Sequence, residues 1–144
     1  MVDAPGAVND NDAAQDFANR LCIEDGMTVQ ELGWSDDCDP SIPEAVEDRI
    51  GEALLDEDTD ELCDVILLWW HDDDGDLVDG LVDALRNLDS EGCIWLLTPG
   101  AGKEGTVPPG EISESAQLAG LVQTKSDRFG GFQGSCLVAR GNKR

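Results

Sequence analysis

The sequence predicts an α/β fold: one open, three-layer arrangement with about five or six strands, mostly parallel, helices on both faces, and an antiparallel strand near the C-terminus. Three observations predict it. Two runs, "CDVILLWW" (63–70) and "CIWLLT" (93–98), are apolar at nearly every position, as strands covered on both faces are. Helix-periodic segments alternate with the strand-like ones, which implies parallel strands joined by right-handed crossovers. The chain then closes on two strand-like segments, "LVQTKS" (121–126) and "SCLVAR" (135–140), around the glycine-rich "FGGFQG". Two strands that close together pair antiparallel.

The elements follow in order. Residues 1–12 are small, polar and acidic, a composition expected of a disordered tail. A short helix is expected over 13–21. "GMTVQELGW" (26–34) reads as the first strand, with turn signals on both sides. "SIPEAVEDRIGEAL" (41–54) reads as an amphipathic helix, with Ser41 as cap, Pro43 in the first turn and Glu44 as capping-box acid. Its Ile42, Val46, Ile50 and Leu54 recur every four residues and form a buried stripe. "EALLDED" leaves room for one short edge strand at most. After "CDVILLWW", "DGDLVDGLVDALRNL" (74–88) reads as a helix with Leu77, Val78, Leu81, Val82, Leu85 and Leu88 inward. A turn-rich loop, "PGAGKEGTVPPG", follows "CIWLLT", and "EISESAQLAG" (111–120) reads as a helix closed by Gly120. Residues 13–140 thus form one domain between the tail at 1–12 and a basic tail at 141–144.

Composition narrows the function classes. Nine basic residues stand against 32 acids, a net charge of −23. Such a surface repels phosphate backbones and anionic membranes, so neither nucleic acid nor membrane is an expected partner. The charge is uneven. Residues 1–124 hold four basic residues against 31 acids, whereas 125–144 hold five against Asp127 alone, a net of +4. Five separate cysteines without a C-x-x-C pair suit reduced thiols and a cytoplasmic protein. The opening "MVDAPGAVNDND" has no basic region or apolar run, so no secretory leader is expected.

The strand after an "AG" helix, the glycine turn and the closing strand resemble the tail of a class I methyltransferase-like Rossmann fold. "LVDALRNLDSEGCIWLLTPG" resembles that fold's penultimate helix and strand entry. Only about thirty residues separate the first strand from "CDVILLWW", where a full fold places two further βα units. The resemblance therefore implies a truncated, degenerate version. A closer likeness is carried by "DGMTVQELGWSDDCD", "LCDVILLWWHDDDGDLVDGLVDALRNL" and "IWLLTPGAGKEGTVPPGEISESAQLAGLVQT". Over about residues 21–140 these resemble an actinobacterial family catalogued as domain of unknown function 3052. That resemblance implies no established activity. The chain departs from the family's usual pattern at Gly100, where a lysine is usual, and at Phe132, Gln133 and Gly134, where "WSG" is usual.

Chemical motifs are sparse. A cofactor-binding turn needs glycines that let the backbone approach the ligand, and an acid on the next strand for the ribose. Here "ELGWSDDCD" has one glycine, followed by Trp34, and no full second strand. "GAGKEG" is not a phosphate-binding loop, because Leu97 stands where the first glycine belongs and Glu104 follows Lys103. There is one histidine, His71, and no G-x-S-x-G elbow. The run Asp72–Asp76 is not an EF-hand loop, since aligning Gly75 puts Trp70 at the first ligand position. Asp74 or Asp76 is better read as a helix cap. No catalytic residue, metal or cofactor is therefore expected. Ligands of open α/β sheets bind where the C-terminal ends of the strands converge. That rim is expected to carry Trp34, Asp36 and Asp37; Trp70, His71 and Asp72; and Thr98, Pro99 and Lys103. Aromatics and acids together suit a cationic or aromatic ligand, or a basic segment of a partner protein. The expected function is a non-catalytic binding or regulatory domain. The alternative is a small methyltransferase-like enzyme or cofactor binder using the same rim.

Overall fold

Side-chain alternation along three central strands divides the core in two. The computed structural model describes residues 17–35, 38–100, 102–129 and 131–139. It contains the strands β1 (Val29–Leu32), β2 (Cys63–Trp69), β3 (Leu88–Pro99), β4 (Leu121–Phe129) and β5 (Phe132–Ala139). Its helices are α1 (Ser41–Ile50), α2 (Leu77–Leu85) and α3 (Pro109–Leu118). Val65, Leu67 and Trp69 of β2 and Cys93, Trp95 and Leu97 of β3 point to one face, against Ile42, Val46 and Ile50 of α1. Ile66 and Leu68, with Ile94 and Leu96, point to the other, against Leu77 and Leu81 of α2 and Ile112 and Ala116 of α3. Both faces of the strands are covered, which is why "VILLW" carries no polar alternation.

The five strands form one sheet in the order β1-β2-β3-β5-β4. β1, β2 and β3 are parallel, and β5 runs antiparallel between β3 and β4. The fold is the three-layer, mostly parallel arrangement expected. The edge beyond β1 shows what truncation means structurally. A single residue, Leu55, bridges Gln30 in parallel, its N–H bonding the Val29 carbonyl at 2.9 Å and its carbonyl accepting from Glu31 at 3.0 Å. One bridge stands where a longer fold would continue the sheet.

Local chemistry sets the element ends. Ser41 is the first residue of α1 rather than its cap; Asp39 accepts from the Ser41 N–H at 3.0 Å and from its hydroxyl at 2.6 Å. Asp76 caps α2, accepting the Val78 N–H at 3.0 Å. Gly51 and Gly120 close α1 and α3 with φ of 82° and 85°, the left-handed conformation glycine adopts without strain. β3 is longer than "CIWLLT" suggests, because "LDSEG" enters it through an irregular step beside Cys63. The region 13–21 is described from residue 17, where 17–20 form one helical turn. The Trp95 indole donates to the Leu21 carbonyl at 3.0 Å and ties this turn to the central strand. The tails assigned to 1–12 and 141–144 lie outside the described residues.

Candidate functional site

The C-terminal ends of β1, β2 and β3 lie side by side, and the rim residues divide between the two faces of the sheet. On the α1 face, half-exposed Trp34 stacks edge-on against Trp69, with ring centroids 5.5 Å apart, and Trp69 stacks edge-on against Phe132 at 5.1 Å. The Trp69 indole donates to Glu31 at 2.8 Å. Burial raises the Glu31 carboxyl above the usual range, against the pull of that hydrogen bond, with Glu47 and Glu57 adding to the rise. Asp36 and Asp37 lie outside the described residues.

Trp70 lies on the opposite face, packed with α2 and α3. The reason is a glycine. A Cβ at Gly80 would come within 2.5 Å of the Trp70 ring, so only glycine lets the indole approach α2 this closely. Trp34 and Trp70 therefore do not share a pocket; each aromatic belongs to a different layer.

His71 is half-buried and held by its own turn. Asp74 accepts the His71 N–H at 2.9 Å and lies 3.2 Å from Nδ1. The imidazole also packs beside Gly105, where a Cβ would lie 2.9 Å from its Cδ2. Asp72 is exposed, and its N–H bonds the Gly105 carbonyl at 2.9 Å. Thr98 is fully buried, and its Oγ1 has no hydrogen-bond partner among the described residues. Lys103 is exposed and lies over Gly131. Of the aspartates after Trp70, Asp74 holds the turn and Asp76 caps α2; no metal-binding cluster of His, Cys, Asp or Glu occurs among the described residues.

Beside Trp70 lies a cavity of about 510 Å³, lined by Gln30, Gly33, Glu57, Asp58, Asp60, Asp83, Arg86 and Asn87 among others. Its outer wall is the acidic loop after Leu55, and two side-chain amides fasten that loop. Gln30, 1% exposed, donates to the carbonyls of Asp56 at 2.8 Å and Thr59 at 3.0 Å. Asn87, at the end of α2, donates to the same Thr59 carbonyl at 2.8 Å and to Gln30 at 3.2 Å. Four carboxylates and one guanidinium thus surround an aromatic wall in a framework already bonded in place. Sequence reading missed Gln30, Glu57, Asp83, Arg86 and Asn87. The one available signal was Gln30, a polar residue at an interior position of a short strand.

Gly33 has φ of 80°, and a Cβ there would be driven into the Trp69 carbonyl oxygen. It is the glycine of the turn that follows the first strand. Its N–H is already taken, donating to the Glu57 carboxylate at 2.8 Å. A cofactor-binding turn of this fold offers free backbone N–H groups to its ligand; here the N–H of the one glycine in the turn is taken by Glu57.

Sheet order defines a methyltransferase-like α/β fold, in which Glu57 accepts the N–H of the glycine in the turn after β1. Solved structures support the class at the level of fold. The chain is similar to a TehB-like SAM-dependent methyltransferase from Corynebacterium glutamicum, with TM-score 0.54 and 14% identity, covering 89% of this chain and 88% of that one. It is also similar to the pyocyanin biosynthetic protein PhzM, with TM-score 0.62 and 10% identity over 89% of this chain and 55% of that one. The chain belongs to the family described as protein of unknown function (DUF3052), whose model matches residues 18–141. Uncharacterized proteins of Mycobacterium bovis and Mycobacterium tuberculosis are each 48% identical to it over 136 residues, covering 92% of this chain and 86% of theirs.

Proposed function

We propose that this is a non-catalytic binding domain, whose rim cavity takes a cationic group: a small cationic ligand or a basic side chain of a partner protein. The carrying observation is the cavity beside Trp70, acidic on its walls and held open by the Gln30–Thr59–Asn87 hydrogen bonds. A cation there gains from the carboxylates and from the indole face, the latter worth about 0.5–2 kcal/mol. Because the loop is already fastened, little ordering entropy is spent on binding. His71 is bonded to Asp74, and Glu57 accepts the backbone N–H of Gly33. Five separate cysteines without a C-x-x-C pair favour a reducing compartment such as the cytoplasm. No helix among the described residues is long and apolar enough to cross a membrane.

Calorimetric titration tests the reading. A short arginine-rich peptide is expected to bind saturably, and Glu57→Gln with Asp83→Asn is expected to weaken it at least about tenfold. S-adenosylmethionine is expected to show no micromolar binding. Micromolar binding of S-adenosylmethionine, with a methylated product, would replace this reading by that of a small methyltransferase-like enzyme.

A further inference from the structure

On the α1 face of the sheet, opposite the rim cavity, three thiols and a lysine gather. Lys125 Nζ donates to Cys22 Sγ at 2.9 Å, and both residues are exposed. They stand at a cavity of about 220 Å³ whose other walls are Leu21, Trp95, Cys93 and Cys136. The strand register assembles it: Lys125 in β4 pairs with Cys136 in β5, which pairs with Trp95 in β3. The bond from the Trp95 indole to the Leu21 carbonyl fixes the residue beside Cys22. Cys22 itself has φ of 62°, a left-handed backbone that non-glycine residues adopt at some cost. The Lys125 ammonium is held above the usual lysine range, first by its bond to Cys22.

We propose that Cys22 and Lys125 form a peroxide-reactive pair, taking an alkyl hydroperoxide at the apolar cavity and becoming covalently joined. This site is independent of the rim reading. The thiolate is the nucleophile, and Lys125 places a cation with a transferable proton at hydrogen-bond distance from the sulfur. Cys22 sulfur attacks the terminal peroxide oxygen. The S–O bond forms as the O–O bond breaks, and the electron pair leaves on the alkoxide. The alkoxide takes a proton from the Lys125 ammonium and departs as an alcohol. Sulfur is oxidised by two electrons and the peroxide is reduced by two. A sulfenic acid now faces a neutral amine. The amine nitrogen displaces the hydroxyl from sulfur, the S–N bond forms, and water leaves with one amine proton. The walls of Leu21 and Trp95 favour an alkyl hydroperoxide over hydrogen peroxide. The link staples the segment before β1 to edge strand β4, across 103 residues of sequence.

The test treats the full chain with tert-butyl hydroperoxide, followed by intact mass and a non-reducing peptide map. The expected result is a loss of about 2 Da, restored by dithiothreitol and mapped to a Cys22–Lys125 cross-link. Lys125→Arg keeps the cation, so dimedone should trap the Cys22 sulfenic acid at a rate within about threefold of native, without the cross-link. Lys125→Met should slow oxidation about tenfold or more, with an unchanged melting temperature because the position is exposed. The proposal is overturned by a cross-link from Cys22 to Cys93 or Cys136, by native-rate oxidation of the Met variant, or by no faster oxidation at Cys22 than at buried Cys63.

Discussion

Single residues decide what the rim can hold. Gly33 is required twice, by its φ of 80° and by the Trp69 carbonyl that a Cβ would strike. Gly33→Ala is therefore expected to destabilise the chain by at least about 2 kcal/mol, measured by urea denaturation. The same glycine presents its N–H to Glu57, so one position both closes the turn and orients an acid of the cavity. Cys63 is a buried thiol. Burial, then Glu61 and Asp64, push its pKa up from 9.0 to about 11. A raised folded-state value favours the protonated thiol in the fold. Its contribution to stability is complete below pH 9.0 and is lost as pH rises to about 11. Cys63→Ala should flatten the fall in stability across that window, as read from denaturation midpoints at each pH. An unchanged slope would show that Cys63 does not carry it.

Elements were legible where periodicity and burial agree. "CDVILLWW" and "CIWLLT" fall in β2 and β3 because strands covered on both faces have no reason to alternate. The acids after Trp70 resolve the same way: Asp76 caps α2 and Asp74 holds the His71 turn. Asp76→Ala should cost about 1 kcal/mol of stability, while Asp73→Ala, exposed in the same run, should cost nothing measurable. Equal losses from both would reject the capping account. Ends were less legible. Asp39, not Ser41, satisfies the start of α1, its carboxylate accepting both the N–H and the hydroxyl of Ser41 from two residues back. β3 begins at Leu88 because pairing with Cys63 recruits a segment that turn chemistry alone would leave out.

At the scale of the whole molecule, strand direction was readable, because crossover connections imply parallel strands and the glycine turn between the last two implies an antiparallel one. The candidate site was readable only as a region. Sequence places Trp34, Trp70 and Lys103 at neighbouring strand ends but does not say which face each side chain takes. Gly80 and the Trp34–Trp69 contact decide that, and both depend on tertiary packing. Nor does sequence show that Gln30 and Asn87, 57 residues apart, bond to each other and fasten the acidic loop. The central claim is that the cavity beside Trp70, and not the Trp34 side of the rim, receives a cation. It is tested most directly by nitrogen-15 chemical-shift mapping during titration with the arginine-rich peptide, since the four tryptophan indoles report from different places. The account predicts saturating shifts at the Trp70 indole and at the Gly33 and Gly80 amides, with the Trp34 indole unmoved. Shifts confined to Trp34 and Lys103, or none at Trp70 at saturating peptide, would contradict it.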